Sequence, residues 1–229
     1  MNSIQRPAVA ARTVQVWSDL LCPFAHVAVH RLWETRAKLG LEDVVGFDHH
    51  VFPLELFDGP HPRRGTDTEA VGLGQIAPEA GFRVWAHADD LYPHTVLLAA
   101  EAVLAAKAQS LRASELLDRA LRVGFWLESK SISHRSVILG IASGLDLDLA
   151  RLTEDLDNGS YRRALMDDFA ISQGDEVKGS PHLFLADGTS EHNPGITVHW
   201  EGPWAAGFPV VDSDRPEVFE DILRRAARR

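Results

Sequence analysis

The chain has 229 residues, enough for one large domain or a core domain with an insertion, and its 45% apolar and 24% charged residues are the balance of an ordinary globular protein. A formal net charge of −10 argues against nucleic acid as the main partner, because phosphate contacts need clustered Lys and Arg. No stretch approaches the roughly 18 apolar residues of a membrane span, and a single cysteine rules out an internal disulfide and fits a reducing compartment.

Residues 1–12 read as a loose leader without the apolar stretch of a secretory signal, so a cytoplasmic location is expected. Val14, Val16 and Trp17 predict a short strand ending at Ser18-Asp19. Beyond Cys22-Pro23, residues Phe24, Val27, Ala28, Leu32 and Leu39 recur at helical spacing, and Gly40 stands where a left-handed cap ends a helix. Val44 to Phe52 is rich in β-branched and aromatic residues and predicts a second strand. Pro53 to Gly81, with many Pro and Gly residues, reads as a long connection.

Thr95 to Gln109 is almost continuous Ala, Leu and Val, which predicts a helix buried on most sides. Ser114 to Lys130, His134 to Ser143, and Leu147 to Gln173 with a break near Asn158-Gly159 supply further helices. The carboxylates Asp167-Asp168 and Asp175-Glu176 read as a solvated face, and Trp85, Trp126, Trp200 and Trp204 as core. His182 to Ala186 predicts a strand, Asp187-Gly188 a turn, and Ile196 to Trp200 the pairing partner. Gly202 to Phe208 then leads to a final helix, with Asp214 as N-cap, Pro216 in the first turn and Glu217 three residues on. The arginines at 224, 225, 228 and 229 close that helix at the negative end of its dipole. The order is β-α-β, a helical block, then β-β-α.

Chemistry concentrates in Ser18-Asp19-Leu20-Leu21-Cys22-Pro23-Phe24-Ala25-His26, where a thiol stands between a strand end and a helix start. Free N–H groups and the positive end of the dipole at that point favour thiolate, the nucleophilic form, so a depressed Cys22 pKa is expected. Pro23 suits the first turn because its missing N–H has no partner there. His26, one turn on, is placed to bond the thiolate or to favour it when protonated, or else to lie on the surface. Asp19 is placed to cap or orient the turn, or to relay a proton. Cys22, His26 and His30 align on one helix face; a metal site there needs further ligands, with His49, His50 and His182 as candidates, and no metal is expected.

These residues carry a resemblance. Val14 to Ala25 resembles the opening of the DsbA-like family, in its FrnE and 2-hydroxychromene-2-carboxylate isomerase branch. Phe52-Pro53-Leu54-Glu55-Leu56, Gly179-Ser180-Pro181-His182-Leu183-Phe184 and Asn193-Pro194-Gly195 resemble further segments of that branch, so the likeness spans residues 13 to 225. It implies an α/β, thioredoxin-like core at 13–67 and 175–229 with an all-helical insertion at 68–174. It also implies a cis-proline at Pro181 facing Cys22, with Ser180 left to pair with a substrate or small thiol and His182 lining the cleft.

The sequence departs from that family's dithiol pattern, Cys-Pro-x-Cys. Ala25 stands at the second thiol position, and a mixed disulfide needs a second thiolate to release it. The expected activity is therefore a DsbA-like oxidoreductase working through Cys22 alone, with an external low-molecular-weight thiol as resolving partner and cosubstrate and no tightly bound cofactor. The alternatives are a glutathione-type isomerase or transferase of the kappa-class kind, and a thioredoxin-fold binding protein without catalysis. The expected partner is a small thiol or disulfide; a homodimer is compatible with the sequence.

Overall fold

The computed structural model describes residues 5–203 and 207–228, so Trp204, Arg229 and the first four residues of the leader lie outside the described residues. Strands β1 (Thr13–Ser18) and β2 (Gly46–Val51) run parallel, connected by helix α1 (Pro23–Lys38). Strand β3 (His182–Phe184) adds antiparallel to β1, and β4 (Ser190–His192) antiparallel to β3, giving the order β2-β1-β3-β4. Every residue of β1 is buried, as a strand covered on both faces must be.

The two-residue period of β1 divides its side chains between two cores. Val14 and Val16 join Ala28, Leu32, Phe47, Leu183, Phe219 and Leu223, beneath α1 and the C-terminal helix α9 (Val218–Ala226). Trp17 points the other way, to Phe52, Ile171, Val177 and Phe184. Leu32, Phe47 and Phe219 are fully buried, and burial of each such side chain is worth about 1.5–3 kcal/mol. The helix α1 ends at Lys38, and Gly40 takes φ +64, the left-handed conformation expected of it.

The helical block is α4 (Leu97–Lys107), α5 (Leu111–Trp126), α6 (Arg135–Ala142), α7 (Leu149–Asn158) and α8 (Arg162–Ser172). Ser110 and Asp148 cap α5 and α7, accepting from the amides of Ala113 and Arg151. As expected, Ala99 to Ala106 of α4 are all buried. Asp168 departs from its expected solvated face: it is buried, and its carboxylate accepts from Val51 N at 2.9 Å and meets His50 Nδ1 at 2.8 Å.

Three further expectations are corrected. The stretch Pro53 to Gly81 is not a bare connection but holds helices α2 (Glu55–Asp58) and α3 (Arg63–Ile76), and α3 runs across the expected boundary between residues 67 and 68. Its glycines lower helix propensity, yet Gly72 is where Pro209 presses on the helix; a Cβ there would lie 3.0 Å from Pro209 Cγ. The partner of β3 is β4, whereas Ile196 begins a separate hairpin, β5 (Ile196–Glu201) with β6 (Phe208–Asp214). Asp214 therefore ends a strand instead of capping α9, and its carboxylate takes both terminal nitrogens of Arg31 at 2.6 and 2.8 Å.

Candidate active site

The strand β1 ends at Ser18, and the four residues that follow turn the chain into α1. Cys22 is the N-cap of α1 in extended conformation, with Pro23 opening the first turn. Its thiol donates to the carbonyl oxygen of Ser180 at 3.1 Å, and the Ser180–Pro181 peptide is cis. The Ser180 hydroxyl in turn accepts from Asp19 N at 2.9 Å. The two loops placed together by resemblance thus meet through both the side chain and the backbone of Ser180.

Asp19 orients the turn rather than capping the helix. Its Oδ1 accepts from Leu21 N at 2.7 Å and its Oδ2 from Leu54 N at 2.9 Å, tying the Cys22 turn to the segment after β2. Burial pushes its carboxyl up, against the opposing pull of His61, these two amides and Arg122. Ala25 is fully buried and its amide favours the Cys22 thiolate; Phe24 packs against the cluster of Leu73, Ala77 and Ala80.

Helix α5 holds the back of the turn through Asp118 and Arg122, which the sequence did not single out, and Trp126, expected only as core. Arg122 donates to the Asp19 carbonyl and the Ser18 hydroxyl, both at 2.8 Å, while pairing with Asp118 one turn earlier. Trp126 Nε1 donates to the Leu20 carbonyl at 3.1 Å, so three consecutive residues, from the end of β1 at Ser18 to Leu20 in the turn, are anchored by one helix. The i,i+4 pair Asp118–Arg122 lies on the buried face of a strongly amphipathic helix, the signal that marks it in sequence.

Two histidines are placed otherwise than expected. His26 is buried, and its Nε2 lies 2.9 Å from the Ala80 carbonyl, with Phe82 edge-on and Trp126 stacked against the ring. Burial lowers its pKa to about 3, so it is a neutral tether for the loop after α3 and neither a surface group nor a cationic partner of the thiolate. His182 is buried in β3, where its Nδ1 accepts from Lys178 N at 3.0 Å and its Nε2 faces Ser190 Oγ at 2.9 Å. Both its ring nitrogens are engaged, one by the segment before β3 and one by β4. Among the described residues, no group of three or more His, Cys, Asp or Glu side chains is arranged to hold a metal ion.

The expected depressed thiol pKa is overturned. Burial pushes Cys22 up to about 12; the Ser180 side chain and the Ala25 amide pull down, and the Glu69 and Asp19 carboxyls add upward. The helix N-terminus is present, but its stabilisation falls short of the cost of taking a thiolate out of water. Glu69, on α3, is the functional candidate that sequence reading missed. Its Oε2 is buried with no hydrogen-bond partner, and burial raises its pKa to about 8.

A family model for the DSBA-like thioredoxin domain matches residues 13–224. Among solved structures, a probable DsbA oxidoreductase from Streptomyces coelicolor superposes with a TM-score of 0.67 at 19% identity, covering 93% of this chain and 89% of that one. A 2-hydroxychromene-2-carboxylate isomerase gives 0.60 at 15% identity, covering 78% and 87%. The cytosolic disulfide reductase DsbM from Pseudomonas aeruginosa, in its structure with GSH, gives 0.53 at 17% identity, covering 93% and 97%. No curated protein sequence matches the chain.

Proposed function

Because the chain belongs to the DSBA-like thioredoxin family, we propose that it is a thiol–disulfide oxidoreductase that works through Cys22 alone, with an external low-molecular-weight thiol as resolving partner. The observation that carries this reading is the pairing of Cys22, at the N-cap of α1, with the Ser180 carbonyl beside cis-Pro181, while Ala25 fills the position of a second thiol. In the first step Cys22 Sγ attacks a disulfide R–S–S–R′, forming Cys22–S–S–R and expelling R′–S⁻. In the second a free thiolate R″–S⁻ attacks the R sulfur, giving R–S–S–R″ and returning Cys22. The structural likeness to a reductase solved with GSH supports glutathione as that thiol, and a reducing compartment such as the cytosol supplies it.

Mass spectrometry after incubation with oxidised glutathione tests the reading. One adduct per chain is expected on Cys22, released by excess reduced glutathione and absent from Cys22→Ala. Failure to form any adduct, under conditions that modify a free peptide thiol, would overturn it and favour a binding domain.

A second reading has one observation in its favour: a thiol pushed up to about 12 is a better hydrogen-bond donor than nucleophile. It would then orient a bound glutathione thiolate in an isomerase or transferase. Turnover that depends on added thiol and survives Cys22→Ser would select this reading over the first.

A further inference from the structure

Cys22 is buried, so a disulfide reaches Sγ only when part of its surroundings moves, and its direct partner is the carbonyl of Ser180. Ser180 lies in a stretch without helix or strand, between the end of α8 at Ser172 and the start of β3 at His182. Among the described residues, two hydrogen bonds hold Asp175 to Gly179. The Glu176 carboxylate accepts from Arg6 Nε at 2.8 Å, and Lys178 N donates to His182 Nδ1 at 3.0 Å. The second is local, with its partners 4 residues apart, whereas the first spans 170 residues of sequence.

Residues 5–12 form no helix or strand, as a loose leader would, yet Arg6 is fastened on several sides. Its Nη1 donates to Gln15 Oε1 at 2.8 Å, and the same oxygen accepts from Trp17 Nε1 at 2.9 Å. Gln15 is fully buried, and its Nε2 donates back to the Pro7 carbonyl at 3.3 Å. The Arg6 guanidinium lies over the Phe184 ring, 4.0 Å from the centroid, and Val9 packs against the core of Trp17, Val177 and Phe184. A planar cation with several donors meets all of these contacts at once, which an ammonium cannot do. Arg6 therefore bridges β1, β3 and the stretch before Ser180. Strand β1 runs on into the Cys22 turn and that stretch runs on to Ser180, so one side chain ties together the two arms whose ends meet at the thiol.

We propose that Arg6 is a positioning residue of the Cys22 centre. Through Glu176 it holds the stretch before cis-Pro181 against β1 and so keeps the Ser180 carbonyl on the thiol; release of that contact opens Cys22 to its substrate. The proposal rests on the oxidoreductase reading for the nature of that substrate, while its own content is the access of reagents to Sγ. An ion pair in full contact with water is worth about 1 kcal/mol or less, but here the Arg6 side chain is only 16% exposed and also bonds a buried amide. The Glu176 side chain is 50% exposed, so salt should weaken the contact from that end.

The test is alkylation of Cys22 by iodoacetamide in the folded full chain, at one pH and in increasing urea below the unfolding transition. Arg6→Ala is expected to raise the rate without urea about tenfold, equivalent to about 1.4 kcal/mol of easier opening. Loss of a cation works against thiolate formation, so a faster reaction reports access rather than ionisation. The increase should be insensitive to low urea, because local opening exposes little surface; a loss of global stability alone would give a steep urea dependence. Glu176→Gln should raise the rate by a similar factor, and the double variant no further than the larger single effect. Arg6→Lys keeps the charge and should restore part of the protection. Unchanged rates, factors that multiply in the double variant, or an increase carried only by global unfolding would overturn the proposal. A chain that shows the expected effects but forms no adduct with oxidised glutathione keeps the role of Arg6 and loses the oxidoreductase reading.

Discussion

Behind the Cys22 turn, α5 brings Arg122 against Asp118, the Asp19 carbonyl and the Ser18 hydroxyl, in bonds of 2.8 to 3.1 Å. On α3, Glu69 has a buried Oε2 without a hydrogen-bond partner, and its carboxyl acts electrostatically on a thiol that burial holds protonated. Both regions are polar; the Asp118–Arg122 side is buried and Glu69 is half-buried. The first is compensated donor by acceptor, which fixes the backbone from which Cys22 is presented. The second is left uncompensated, and burial there favours the neutral form of both the acid and the thiol. The paired side favours the fold, and the unpaired carboxyl costs it stability.

The largest effect should come from breaking the compensated side. Arg122→Ala leaves Asp118 buried without its cation and is expected to cost about 3–5 kcal/mol in denaturant unfolding. A loss below about 1 kcal/mol would show that the back of the turn is not a support, the ordinary range for an exposed pair.

The uncompensated side predicts the opposite sign. Glu69 has a folded pKa of about 8, above its unfolded value of 4.5, so the native state binds the extra proton and loses stability as pH rises through that window. Glu69→Gln should therefore leave stability unchanged at pH 4 and raise it by about 1–3 kcal/mol at pH 9. A gain of the same size at both pH values would mean that ionisation of Glu69 is not the cause.

His26 acts on the acid side and sharpens the boundary between the two regions. Its pKa falls to about 3 in the folded chain, so below about 6.5 the unfolded state takes up a proton that the folded state refuses. Stability declines as pH drops through that range, by up to about 1.4 kcal/mol per unit from this residue. His26→Gln keeps a donor for the Ala80 carbonyl and should flatten the acid limb; an unchanged slope would assign the acid sensitivity to other histidines.

Much of this architecture was legible along the chain. The alternation in β1, the helical run after Pro23 and the Ala-rich α4 are local signals, and local sterics and burial period decide them. Ala25 by itself removed an internal dithiol cycle, because that conclusion needs only a count of thiols. The helix α3 was hidden because its glycines look like a loop until the hairpin β5–β6 packs on Gly72. The pairing of β3 with β4, and the recruitment of Asp214 by Arg31, were settled by partners far away in sequence.

The sequence by itself determined that the chain has one thiol, Cys22 Sγ at the start of a helix, and that no internal disulfide can form. Only the tertiary structure decided the state of that atom. A helix terminus acts over one turn and is visible in sequence, whereas desolvation sums over every group that closes around the thiol. Here that burial raises the pKa where the local motif lowers it, even though the Ser180 loop is hydrogen-bonded to the thiol.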